Sequence, residues 1–419
     1  MYSTYILDDF WAEITKSGHI DGTLPKTLTV ERLADVWLNN DIKRFPVLTI
    51  TRKYDNDTAL VEQHVFTKKI NESLTEEEKE MLWSIPITYL TPCRLKTSAV
   101  HPVAWIHDRE LTIDNLPDVD SFIIVNPTDS GMFFVNYDER NWNLLAESLI
   151  GSSSEHNIPS VSRRKLLQDA LFLAAGGELS YRIALNMTTF LFKETDHSVW
   201  LPFLQQIIQL QSICYFTPVE DKLNIYIREL VGPLYVSMTQ PDYETQSYDY
   251  IMFWYKARDV LQRVGYQPHI DEQNKYMKTQ LPTFSYFDND TQILNGTLDE
   301  DTAFMSYEFN NLFHLLTACP QSYNMTVDFF VENFDELRHR QDMWNGMVDA
   351  VFSKVRTRSQ MDRLTALYEE KKPKFGYSSS NVKREISEAK RLTEARESSL
   401  YEIELWFDQD WPAIKDAIM

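Results

Sequence analysis

Glycine is scarce in this 419-residue chain, at 11 positions. No G-x-G-x-x-G, P-loop or G-x-S-x-G pattern occurs, so the glycine-dependent phosphate cradles and nucleophile elbows are excluded. Cysteine is rarer still. Cys93, Cys214 and Cys319 lie far apart with no C-x-x-C or C-x-x-H pairing, which argues against a structural zinc site. An odd three also fails to describe a disulfide framework. Positive charge is outweighed: 41 Lys and Arg face 62 Asp and Glu, for a net charge of -21. A nucleic-acid phosphate surface is therefore no partner. No uninterrupted apolar run is long enough to span a bilayer. The first 20 residues have no basic n-region or apolar h-region and carry Asp8, Asp9 and Glu13, so they do not read as a signal peptide. The expectation for the sequence as it stands is a soluble, unexported chain.

What is present is a large apolar and aromatic content. Hydrophobic residues make up 43% and aromatics 13%, enough to build the cores of two or three domains in a chain of this length. Six Asn-x-Ser/Thr sequons stand at Asn56, Asn71, Asn186, Asn289, Asn295 and Asn324, while Pro127 disqualifies Asn126. They hint at ectodomain ancestry.

The chain changes character once, between residues 122 and 147. Ile123–Asn126 and Met132–Tyr137 are short β-prone runs about a Pro/Asp/Ser/Gly loop, which predicts a hairpin. Asp138 and Asn141 suit a turn or helix cap, and Trp142, Leu144 and Leu145 open an amphipathic segment. Before this joint, residues 45–147 read as a small β-sandwich of β-branched and aromatic runs punctuated by turn-formers. Residues 1–44 read as a helical tail: Phe10, Trp11 and Ile14 share one apolar face, Asp8-Asp9 is a helix-start acid pair, and a second helix starts at Thr29 or Glu31. After the joint, residues 148–419 are helical throughout and read as an α-solenoid, superhelical in the HEAT/ARM manner. Gly176-Gly177 reads as a helix C-terminus and Gly232-Pro233 as a breaker. Ile207 and Ile208 belong to one apolar stripe, and Ile386, Ala389, Leu392, Leu400, Ile403 and Trp406 to the core positions of the last long helix.

The joint also carries a resemblance. FFVNYDERNW, with SRRKLLQDALFLAAGGELSYRIALNMTTFLFKETDHSVW from Ser162 to Trp200, resembles the M1 zinc aminopeptidases, the family of aminopeptidase N and the endoplasmic-reticulum aminopeptidases. In that family an RVNYD-type strand closes the β-sandwich, and R-x-x-L-I-D-D-A-F-x-L-A opens the helical C-terminal domain. Asp169 and Ala170 match; Phe134 replaces the family's Arg and Gln168 its first Asp. DDFWAEI…DGTLPKTLTVERLADVW is similar to the end of the family's catalytic domain, Trp37…Phe45-Pro46-Val47 to its W…GFPVV segment with Arg44 in place of Gly, and YIRELVGPLY to its C-terminal domain. Between about 266 and 310 the resemblance fails. The likeness implies the end of a catalytic domain, a β-sandwich and a helical C-terminal domain, with the zinc and substrate residues upstream of Met1. It also implies a family whose members are often extracellular, membrane-anchored or in the endoplasmic reticulum.

The residues agree that this chain carries no catalytic zinc. Such a site needs H-E-x-x-H on one helix, two imidazoles four apart with the Glu as base for the bound water. The nine histidines are 19, 64, 101, 107, 156, 197, 269, 314 and 339, and no two are four apart. The family's G-A-M-E-N segment is also missing. No catalytic residue is assigned, and no cofactor is expected in this chain, zinc belonging to the full-length family. Against the acidic total, residues 338–396 hold fourteen Lys/Arg and eight Asp/Glu. This run reads as an exposed cationic face paired with neighbouring Glu. Alternatively, by loose likeness of VFSKVRTRSQMDRLTALY to a family segment, it offers Arg358 to a peptide's C-terminal carboxylate, a bidentate match for guanidinium. Two functions follow: a peptide-enclosing or regulatory region of an aminopeptidase, inactive alone, whose partners are peptides or a catalytic domain; or a non-enzymatic peptide- or protein-binding helical scaffold.

Overall fold

The computed structural model describes residues 6–38, 44–67, 73–94, 101–151, 158–266, 268, 313–314, 316–317, 320–339, 341–355 and 357–418. Two compact units emerge. The first comprises residues 1–206, 237–256 and 405–419, the second 207–236 and 257–404.

The first unit opens with α1 (Leu7–Asp21), whose first turn holds Asp8 and Asp9 where the helix dipole favours acids, and which ends at Gly22 in the left-handed region. The Thr29 side chain caps α2 (Val30–Trp37) by accepting from Arg32 N. The strands follow: β1 (Pro46–Lys53), β2 (Thr58–Val65), β3 (Ile85–Ile87), β4 (Tyr89–Leu90), β5 (Ala104–Ile106), β6 (Glu110–Ile113), β7 (Ile124–Val125) and β8 (Phe134–Tyr137), with a short helix α3 (Glu76–Lys79) after β2. They form small sheets: β6-β2-β1-β8, with two-stranded β3-β5 and β4-β7. Alternation along β2 buries Ala59, Val61 and Val65 and turns Glu62 outward.

The hairpin predicted about residues 127–131 does not form. β7 pairs antiparallel with β4, and β8 runs parallel to β1 with Ile50 opposite Tyr137. The reason lies in backbone supply: β1 and β4 take up the ladder groups of the two runs, and the Val125 amide donates instead to the Tyr137 hydroxyl (2.8 Å). The loop closes on itself. Asn126, with φ of +54°, accepts from Gly131 N (3.2 Å) and donates to Gly131 O (2.9 Å).

Among the described residues, every regular element beyond β8 is helical. In the first unit α4 (Glu139–Ile150) starts at Asp138, whose carboxylate accepts from Asn141 N. Next come α5 (Ser160–Gly176) and α6 (Tyr181–Asn186). α5 ends as expected at the glycine pair, with Gly177 left-handed and Glu178 N donating to Leu173 O (2.8 Å). Then follow α7 (His197–Cys214), α8 (Val219–Ser237) and α9 (Tyr248–Arg263). α8 runs straight through Gly232-Pro233, contrary to the predicted break. One missing amide donor is outweighed by the buried stripe of Leu223, Ile227, Leu230 and Val231, and Gly232 admits the Tyr266 ring where a Cβ would lie 3.1 Å from it.

The second unit gathers α10 (Pro320–Glu332), α11 (Phe334–Leu337), α12 (Gln341–Phe352), α13 (Arg358–Lys371) and most of α14 (Ser379–Leu405). Its core is aromatic: Phe334 meets Trp344 edge-on at 5.2 Å and Phe375 at 5.1 Å. On α14, Ala389 and Ile403 are core as expected, but Leu392 is exposed, and Thr393 and Ser399 are buried in its place. Ser399 remains satisfied by donating to Ala395 O. Ile208 of α7 is likewise exposed. A π-turn over Trp406–Asp410 leads to α15 (Trp411–Ile418), whose neighbours are again in the first unit: Trp406 Nε1 donates to Asn186 Oδ1 (2.6 Å) and Asp410 accepts both arms of Arg182 (2.8 and 2.7 Å).

Candidate functional site

The joint is built round a buried ion pair. Spacing of four on α5 puts Lys165 and Asp169 on one face, beneath β8. Their side chains are 2% and 1% exposed. Lys165 Nζ donates to both Asp169 oxygens, Oδ2 at 2.6 Å, and to Phe133 O at 2.8 Å; Asp169 Oδ2 accepts from Val135 N at 3.1 Å. Burial pushes the Asp169 carboxyl up to about 6, and the Lys165 charge and hydrogen bond pull it back. The pair answers the Val135 amide of the strand and the Phe133 carbonyl just before it, so it fastens β8 to α5. The sequence marks Asp169 only through its match to a family pattern and leaves Lys165 unmarked, although K-x-x-x-D at helical spacing is its signal. Phe134, standing where the family has Arg, packs against Phe66 (4.4 Å) and Phe172 (5.7 Å).

On the other side of β8, Asp138 joins three elements, accepting from Arg52 N (3.1 Å), Tyr54 Oη (2.7 Å) and Asn141 N (3.0 Å). The Arg52 guanidinium, buried, donates to the carbonyls of Ser121 (2.5 Å) and Pro117 (2.7 Å). Burial lowers its pKa, as desolvation of a cation must. These contacts hold loops and strands together.

Arg358 begins α13 and is exposed, with Nε and Nη2 on Glu397 at 2.8 and 2.7 Å. That fork raises the Arg358 pKa and lowers that of Glu397. Other cations of the basic run have acidic neighbours: Arg363 with Asp328, Lys374 with Asp335, Arg391 with Glu388. Arg396 behaves differently. It donates to Ile213 O (2.8 Å) and to Tyr215 O, closing the C-terminal end of α7.

The histidines go separate ways. His64 meets Glu178 (2.7 Å), His107 meets the Ser84 hydroxyl (2.9 Å), and His19 Nε2 lies between the Pro25 and Leu28 carbonyls. His197 is edge-on to Tyr250 and Phe253, and its pKa is lowered by burial. His156 and His269 lie outside the described residues. Among the described residues no group of three His, Cys, Asp or Glu stands in a metal-holding arrangement.

The conspicuous surface is on α1. None of its residues is buried. Leu7, Phe10 and Ile14 recur at spacings of three and four, with Ile6 beside them, and all four are exposed, Phe10 at 53%. Next to this stripe a groove of about 450 Å³ is lined by Trp11, Thr15, His19 and Thr29 among others. α2 covers only the far side, where Thr15 Oγ1 accepts from Val30 N (2.8 Å).

Residues 122–292 match the ERAP1-like C-terminal domain family. Aminopeptidase N of Mus musculus is 23% identical over 338 residues, 80% of this chain and 28% of its own length. Aminopeptidase-like protein AC3.5 of Caenorhabditis elegans is 27% identical over 256 residues, 58% of this chain and 22% of its own. Aminopeptidase Ey of Gallus gallus is 27% identical over 236 residues, 56% and 23%. The chain is homologous to the C-terminal region of the M1 aminopeptidases. The matches to these M1 relatives take in only about a quarter of their length, 22% to 28%. The ERAP1-like match also continues to residue 292, through more than half of the 266–310 stretch where no likeness was visible in the residues. Among the described residues no helix is long and apolar enough to cross a membrane.

Proposed function

We propose that this chain serves as the closing region of an M1-type metalloaminopeptidase: a β-sandwich and a superhelical helical domain that enclose or regulate a peptide site whose zinc chemistry is supplied by a catalytic domain. The reading rests on the homology to the C-terminal region of M1 enzymes. One observation carries it: the uncovered apolar stripe of α1, in the segment that resembles the end of a catalytic domain. Burying exposed Phe and Leu or Ile side chains is worth roughly 1.5–3 kcal/mol each, so such a stripe is a strong seat for a complementary apolar surface. Asp8, Asp9, Glu13 and Asp21 on the same helix make it a poor ligand for an anionic lipid surface. With no H-E-x-x-H in the sequence, the chain by itself holds no catalytic zinc and removes no N-terminal residue.

Mixing the purified chain with the catalytic part of an M1 relative, and following aminoacyl-coumarin turnover, tests this. Turnover is expected to rise on mixing, to stay at background for the chain alone with zinc added, and to lose its gain with Phe10→Asp/Ile14→Asp. Chelator-sensitive turnover by the chain alone would overturn the reading. Stoichiometric peptide capture with no effect on the catalytic part would favour the non-enzymatic scaffold. Arg358 is tested by comparing a free-carboxylate peptide with its amide: Arg358→Ala should weaken binding of the former alone.

A further inference from the structure

We propose that Asn56 is an N-glycosylation site and that the fold closes two of the other sequons, at Asn186 and Asn324. The chemistry requires an asparagine carboxamide held near the hydroxyl of the residue two ahead, on a turn reachable by the transferase. Residues 54–57 form the turn between β1 and β2, with Asp57 left-handed at φ of +53°. Asn56 is exposed, and its Oδ1 accepts from Thr58 Oγ1 at 2.8 Å. That bond is made by the carbonyl oxygen and does not use Nδ2. In glycan transfer, Nδ2 forms a bond to the anomeric carbon of a polyisoprenyl-pyrophosphate-linked oligosaccharide. The anomeric C–O bond breaks, the lipid pyrophosphate leaves with the electron pair, and Nδ2 gives up one proton.

The two helical sequons have opposite geometry. Asn186 lies in α6 with Oδ1 on the Nε1 of fully buried Trp406, and the Thr188 hydroxyl is buried and donates to Leu185 O (2.7 Å). Asn324 lies in α10 and is itself exposed, and what closes this sequon is Thr326, which is buried and donates to Ser322 O (2.8 Å). In both, the threonine hydroxyl is spent on the helix and turned away from its asparagine. A glycan on Asn186 would also break the Trp406 contact on which the first unit closes. Asn71, Asn289 and Asn295 lie outside the described residues.

The test is to pass the full chain through the secretory pathway behind a cleavable leader. Protein from medium and lysate is then treated with peptide-N-glycosidase in heavy-oxygen water and mapped by mass spectrometry. Labelled Asp is expected at position 56 and not at 186 or 324. Asn56→Gln and Thr58→Ala should abolish the label at 56, and Thr58→Ser should keep it, with the thermal midpoint of all three unchanged. Unmodified Asn56 in either fraction, or a label at 186 in folded protein, overturns the proposal.

Discussion

A buried ammonium must have both its charge and its protons answered, and Lys165 does so with one carboxylate and the Phe133 carbonyl. Lys165→Met strands Asp169 as an unpaired buried charge, which costs about 3–5 kcal/mol. Urea denaturation should read that loss, and Lys165→Met/Asp169→Leu should recover only part of it, because Val135 N then lacks its acceptor. The pair also gives stability a pH signature. The folded carboxyl is raised to about 6, above its unfolded value, so the folded state binds more protons between about pH 4 and 6. The contribution of Asp169 is full below that window and declines as pH rises through it. Wild type should therefore lose urea midpoint relative to Asp169→Asn across pH 4 to 6 and run parallel to it above; an opposite slope refutes the assignment. Cysteine reactivity follows the same logic. Burial pushes the Cys214 thiol up to about 12, so iodoacetamide at neutral pH should modify exposed Cys93 and spare Cys214 until the protein is unfolded.

At the scale of elements, the ends decide where helices and strands may lie. Gly177 ends α5 at φ of +81°, so Gly177→Ala should cost roughly 1–2 kcal/mol for the left-handed backbone alone. Gly176 is needed for a different reason: a Cβ there would meet Thr67 O at 2.5 Å and the Phe66 ring at 3.2 Å. Gly176→Ala must push α5 off the sheet, an overpacking of about 1–3 kcal/mol that chemical denaturation resolves. Asp138→Ala removes the α4 cap, about 0.5–2 kcal/mol, and with it the acceptor of Tyr54. Arg396→Met leaves the Ile213 and Tyr215 carbonyls without their cation, with hydrogen bonds to a charged group worth about 1.5–3 kcal/mol. The caps at Thr29 and Asp138 and the glycine pair were legible, because side chain and turn chemistry are local. The role of Arg396 was not, since its partners lie more than 180 residues away in sequence.

For the whole molecule, the sequence by itself determined the order of classes, a helical tail, then strands up to the joint and helices after it. That follows from hydrophobic period and turn chemistry, which act over a few residues. The sequence also carries no H-E-x-x-H motif, since no two histidines are four apart, and it bears the resemblance to M1 aminopeptidases. Which strand pairs with which was left to the tertiary structure. Ile124–Val125 and Phe134–Tyr137 looked like one hairpin, yet each found its ladder on a strand remote in sequence: β8 joined β1 in the four-stranded sheet, and β7 paired with β4, choices that local turn chemistry does not encode. Tertiary packing also overrode the proline in α8 and rotated α14 so that Thr393 and Ser399, rather than Leu392, face inward. The face of α1 divides the same way. Its apolar spacing at Phe10 and Ile14 could be read from the letters alone, but only the fold shows that α2 leaves that face open, since exposure depends on what the remainder of a chain covers.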